Sequence, residues 1–215
     1  MIEEARHAPG PDPWWAETWC FEVVQPSIAA LACLTVLPHQ RQAWYWSVVL
    51  RPDEPVIHVA DLAVRLAPRT LELRGNELWA DHIVEEPGER WTIGNEANAI
   101  ALDDPAEAFG PGYGTPTPLG IDAEWERSSS PHLGDDGYAV DAVVHGEVLI
   151  GSSRVELDGP GRWWHRWGPL RLVNAPRPSE PWAGVLLEPA GLLVEHTMAV
   201  DDGRWRHPEG SLSPP

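Results

Sequence analysis

YAVDAVVHGEVLIGSSRVELDGPGRWWHRWG, residues 138–168, consists of two extended runs, a tight turn and an aromatic close. From Val140 to Ile150, the residues Ala142, Val144, Val148 and Ile150 share one parity with Gly146, whereas Asp141, His145 and Glu147 share the other. A period of two with unlike faces is that of a β-strand. Gly151 and Ser152 suit a two-residue hairpin, because its first position needs the positive φ that glycine adopts freely. After a second run, Arg154 to Leu157, the tetrad Asp158-Gly159-Pro160-Gly161 predicts another turn. Trp163, Trp164, His165, Arg166 and Trp167 follow in succession. So many large rings are costly to leave in water, so a core or a ligand has to cover them.

The same pattern extends in both directions. Residues 1–13 carry Pro9, Pro11 and Pro13 and predict a flexible arm, since proline donates no backbone hydrogen bond. Trp19–Val24, Ile28–Leu37 and Ala43–Leu50 are rich in aromatic and β-branched residues and are separated by Pro26 and by Pro38-His39-Gln40, the punctuation of an antiparallel meander. Val56–Leu66 comes next, then Thr70–Arg74 and Leu78–Val84 around Gly75-Asn76, and then Arg90–Leu102. Asp104-Pro105-Ala106-Glu107 ahead of Gly110 supplies a cap, a first-turn proline and a stop, which predicts one short helix. Gly110–Pro118 is long enough to be a lid over a pocket as easily as a plain connector. Ile121–Glu126 alternates again, and Trp182–Leu187, Leu192–Val200 and Gly203–Arg206 form a last meander before a disordered tail at 208–215. About ten to twelve strands with hairpin turns predict an all-β antiparallel barrel or sandwich, a single domain over 14–207.

Composition excludes several function classes. The 15 basic residues, all arginine, against 33 acidic ones give a net charge of −18, a surface that repels nucleic acid and anionic lipid. No apolar run is long enough to span a membrane and no signal-peptide pattern opens the chain, so a cytoplasmic location is expected, with a state of monomer or homodimer. In that compartment Cys20 and Cys33, on neighbouring runs, are expected to stay as buried free thiols. The nine histidines lack metal-site spacing, so neither a metal nor a cofactor is expected.

Five blocks, ETWCFEVV, AWYWSVVL, ELWADHIVEEPGERWTIGNEANAIALDDPAEAF, PLGIDAEWE and VHGEVLIGSSRVELDGPG with a terminal HxWG, keep an order that resembles the lipocalin-like family of carotenoid 1,2-hydratases and AttH-type proteins, which includes fungal Diels–Alderases and is distantly similar to tocopherol cyclase. The resemblance spans about Trp14 to Gly168. It implies a lipocalin-like (calycin) β-barrel whose interior takes a hydrophobic polyene or polyketide-like molecule and cyclises or hydrates it, the alternative being a binder without chemistry. Family members carry RDHSWG where this chain has WWHRWG: His165, Trp167 and Gly168 are retained, whereas Trp164 stands in place of the acid.

The resemblance makes His165 the leading acid–base candidate, with the missing acid's role either absent here or moved to Glu124, Glu147 or Asp81. His145 and Glu147, two apart, share one strand face and could act as a couple across a substrate. Glu96 and Asn98 are candidate anchors for a substrate carbonyl. Asp81 and His82 are adjacent, hence on opposite faces, and cannot be a local dyad. Trp163, Trp164, Trp167, Trp91, Trp46 and Trp125 are candidate pocket walls or core. A pericyclic step needs only a shaped pocket, and loss of the motif acid favours it.

Overall fold

The computed structural model describes residues 4–66, 70–103 and 114–169, together with the backbone of three strands further on, at 182–187, 194–201 and 204–206. In chain order the strands are β1 (Trp15–Gln25), β2 (Ile28–Leu37), β3 (Gln42–Leu50), β4 (Val56–Leu66), β5 (Leu73–Gly75), β6 (Leu78–Glu86), β7 (Arg90–Leu102), β8 (Thr115–Arg127), β9 (His132–Gly134), β10 (Gly137–Ile150), β11 (Ser153–Pro169), β12 (Trp182–Leu187), β13 (Val194–Asp201) and β14 (Arg204–Arg206). The helix expected at Asp104–Gly110 lies outside the described residues, as do residues 110–113 of the expected lid or connector; Thr115 onward is already strand β8.

All pairings are antiparallel, as hairpin-connected strands require. An 11-stranded sheet runs β11-β1-β2-β3-β4-β5-β6-β7-β8-β10-β9, and because β11 also pairs with β10 its hydrogen bonding closes into a ring. At one end of β4, Val56–His58 pair directly with Ile100–Leu102 of β7; at the other end, Arg65 and Leu66 pair with β5, so that β5 and β6 are let in as an extra hairpin. The result is barrel-like. β12, β13 and β14 form a separate three-stranded sheet.

The hairpin of the 138–168 stretch forms as its sequence predicts, with Gly151 at φ 57° between Ile150 and Ser153. The predicted turn at Asp158–Gly161 does not form: β11 runs unbroken through it. Here the glycine relieves crowding. A Cβ on Gly161 would run into the backbone oxygen of Glu22 and the side chain of Val144. Pro160 lies just beyond Gly161, where pairing with β1 ends, so its missing amide costs no bond on that side.

One parity of every ring strand faces inward. Trp19, Phe21 and Val23 of β1, Tyr45 and Val49 of β3, Trp91 and Ile93 of β7, Ile121, Ala123 and Trp125 of β8, and Val140, Ala142 and Val144 of β10 belong to one buried cluster. The outward parity differs around the ring. On β8 it is largely charged and exposed and on β10 it mixes Asp141, His145 and Glu147 with the exposed Val143 and Leu149, whereas on β1–β3 it holds a second apolar cluster with Cys20, Leu31, Cys33, Trp46 and Val48, which explains why β2 is buried along its whole length. Cys20 and Cys33 face each other in register and are joined as a disulfide, so the expectation of free thiols is corrected. Reading the two runs as neighbours placed the pair correctly; the assumed reducing compartment gave the wrong redox state.

Candidate functional site

The site forms where β1 and β11 meet, with Trp19 paired opposite His165 and Glu17 opposite Trp167. Glu17 shares the inward parity of Trp19 and Phe21, so its carboxylate is carried to the inner face at the end of the ring, and it is 1% exposed. Its Oε1 lies 2.8 Å from Nε2 of His165 and 2.7 Å from Nδ1 of His7, and the His7 backbone amide donates to both carboxylate oxygens at 3.0 Å. A carboxylate oxygen accepts, so in this arrangement His165 donates through Nε2–H and His7 through Nδ1–H. In a neutral His165 ring that pairing leaves Nδ1 as the acceptor, buried and with no hydrogen-bond partner among the described residues.

Aromatic rings hold the imidazole in place. Trp19 stacks on His165 at 4.5 Å between centroids, Tyr138 and Trp167 meet it edge-on at 5.5 and 5.0 Å, and His7 stacks on Trp167 at 3.9 Å. A second buried carboxylate, Glu4, accepts from the Tyr138 hydroxyl and, at 3.1 Å, from the Gly88 amide. Burial and the neighbouring Glu4 charge push the Tyr138 phenol well above its ordinary range, so it stays a protonated donor. The segment read from the sequence as a loose arm thus supplies Glu4 and His7 to this end of the ring. The ligating atoms of His7, Glu17 and His165 all lie within 4.8 Å of one another, a set that could hold a metal ion. Their present spacing is that of hydrogen bonds, which already satisfy the carboxylate.

Of the residues singled out from sequence, the structure brings His165, Trp163, Trp167, Trp91 and Trp125 to the inner face. Trp163 pairs opposite Phe21, Trp91 leans on Phe21 at 5.1 Å, and Trp125 donates from Nε1 to the backbone oxygen of Glu22 at 2.9 Å. Trp46 and Trp164 belong instead to the outer apolar cluster. Glu124 and His145 are exposed on the outer face, directly opposite each other, and His145 reaches Asp158 at 3.1 Å. Glu147 is paired with Arg154. Glu96 and Asn98 also point outward, with Asn98 bonded to Glu77 at 3.0 Å. Asp81 lies on the outward parity of β6, lifted above the usual carboxylate range by partial burial and by Glu72. None of these outer residues meets His165, because a strand's period of two sends them to the other side of the sheet.

Glu17, His7, Glu4 and Tyr138 were not foreseen. For Glu17 the signal was present in the odd-numbered series Glu17, Trp19, Phe21, Val23, which is otherwise apolar. For Glu4 and His7 no periodicity exists to read. ETWCFEVV and the HxWG end, far apart in sequence, supply the two halves of the Glu17–His165 pair.

Fold and site together define an all-β protein with a closed ring of antiparallel strands and a buried carboxylate–imidazole pair at one end. Residues 1–205 match a family described as a domain of unknown function, DUF7064, and the chain belongs to that family. No curated protein and no solved structure matches it. Among the described residues no helix is long and apolar enough to cross a membrane.

Proposed function

We propose that this is a lipocalin-like enzyme that takes a hydrophobic polyene or polyketide-like molecule into its strand ring and hydrates or cyclises it by proton transfer at His165. The observation that carries this reading is the Glu17–His165 pair. The absent motif acid had favoured a pericyclic step, but Glu17 provides a carboxylate from the opposite strand, which returns the balance to acid–base chemistry. With Nε2–H held by Glu17, the reactive position is Nδ1. An imidazolium formed there lies against the Glu17 carboxylate and on the face of Trp19, both of which attract a cation. Protonation of an alkene carbon from Nδ1 generates a carbocation that water or a second double bond captures, and loss of a proton back to Nδ1 closes the cycle. The inward rings of Trp19, Trp163 and Trp167 supply the apolar surroundings in which a hydrocarbon binds. Phe21 touches His82, Trp91 and Trp125, so a ligand enters by parting these contacts.

The test uses polyenes incubated with the protein in D2O and analysed by mass spectrometry. Proton-initiated hydration or cyclisation incorporates solvent deuterium, and His165→Asn removes the incorporation while ligand-induced tryptophan quenching persists. Quenching without incorporation in the wild type assigns the protein to the non-catalytic alternative, a binder of an apolar ligand.

A further inference from the structure

A second group of polar side chains stands inside the ring, beyond the layer of Trp19 and His165. On β6 and β7, His82 pairs opposite Ile93 and Ala80 opposite Asn95, while Trp91 pairs opposite Val84. His82, Asn95 and Trp91 therefore share the inner face, with His82 the diagonal neighbour of the other two. Tyr45 reaches the same place from β3: Asn95 Nδ2 donates to its hydroxyl at 2.7 Å, and its ring lies 5.9 Å from that of His82. All four are buried.

What they leave unused is specific. Asn95 Oδ1 and the Trp91 indole nitrogen have no hydrogen-bond partner among the described residues, and His82, whose ring has the Leu71 backbone on one side, keeps a ring nitrogen without one. Polar atoms without partners destabilise an apolar interior, and phenylalanine or leucine at these positions would pack without that cost. Together they offer an acceptor on Asn95, a donor on Trp91 and a His82 nitrogen whose role follows the ring's tautomer, converging on one inner face. The charge they can match is also set. Burial drives the His82 pKa down to about 3, so the ring is neutral at working pH, and the chain carries a net charge of −18. A carboxylate or phosphate brought here would meet no compensating cation in this group.

We propose that His82, Asn95 and Trp91 form an anchoring subsite that hydrogen-bonds one uncharged oxygen, a hydroxyl or carbonyl, on the apolar molecule taken into the ring. This rests on the ligand-binding reading above and narrows it: the ligand is a neutral oxygenated polyene, neither a plain hydrocarbon nor a fatty or retinoid acid. Asn95 orients the oxygen, with its own amide nitrogen already committed to Tyr45, and His82 adapts its tautomer to a hydroxyl or a carbonyl.

Four probes of one carbon skeleton test the proposal: retinol, retinal, retinoic acid and the corresponding hydrocarbon, each titrated by tryptophan quenching. The alcohol or aldehyde is expected to bind about tenfold or more tighter than the hydrocarbon and the acid. His82→Phe is expected to erase that preference while leaving the melting temperature unchanged or higher, because it removes an unsatisfied buried group. Equal binding of all four probes overturns the subsite and leaves the ligand-binding reading standing. A lower melting temperature in His82→Phe with the preference retained marks His82 as structural and also overturns it. Failure of all four to bind overturns the ligand-binding reading for this class and the subsite with it.

Discussion

Acid should destabilise this protein from about pH 6.5 downward, well above the range where carboxylates titrate. His82 on β6 and His58 on β4 are buried, and burial lowers their pKa values from 6.5 to about 3 and about 4. For a base with a depressed native pKa, the unfolded chain takes up a proton that the folded chain refuses. Stability is therefore complete above the unfolded pKa of 6.5, falls as pH drops below it, and stops falling once the folded pKa is passed. Each such group costs about 1.4 kcal/mol per pH unit in that window. Between about pH 7 and pH 5 the loss is about 2 kcal/mol per histidine, or about 4 kcal/mol together, a large share of the roughly 5–15 kcal/mol typical of a folded domain. Urea unfolding followed by tryptophan fluorescence at several pH values measures it, and either His58→Phe or His82→Phe should remove about half of the slope. A urea midpoint that is flat across this window, or an undiminished slope in both variants, would show that these histidines are not held neutral by burial.

Other consequences are local. Gly161→Ala should cost about 3 kcal/mol, because the added methyl meets the Glu22 backbone oxygen as well as a side chain, and backbone yields least; an unchanged urea midpoint would contradict the close approach of β11 to β1. Thiol titration of the unreduced protein in denaturant should find no reactive cysteine, and reduction should lower stability by about 3 kcal/mol for a bridge across 13 residues; two titratable thiols would contradict the Cys20–Cys33 bond.

Much of the fold was legible because strands announce themselves by period. β2, β4, β7 and β12 begin and end where the apolar runs do, and Ile121–Glu126 alternates as expected, with Asp122, Glu124 and Glu126 on the outer face. Two things misled. Asp158-Gly159-Pro160-Gly161 has turn composition, yet glycine is also what a strand needs where a neighbouring backbone comes too close, and one sequence cannot separate these causes. The buried polar residues of the inner face were hard to read for a related reason. Glu96, Asn98, His145 and Glu147 looked like paired chemistry and lie on the outer face, whereas the buried polar residues of the ring are the ones that interrupt its apolar parity: Glu17 among Trp19 and Phe21, His82 among Leu78 and Ala80, Asn95 among Trp91 and Ile93. The ring closure that carries Glu17 to His165, 148 residues later, is a tertiary fact that no local pattern encodes.

The central claim is that the carboxylate serving His165 is Glu17, on the inside, and not an acid of the outer face. Glu17→Gln and Glu124→Gln make the same chemical change, one in the buried pair and one on exposed β8. With deuterium incorporation from D2O as the readout, Glu17→Gln is expected to lose about a hundredfold or more in rate while Glu124→Gln keeps the wild-type rate. Full activity in Glu17→Gln, or equal loss in both variants, would contradict the account.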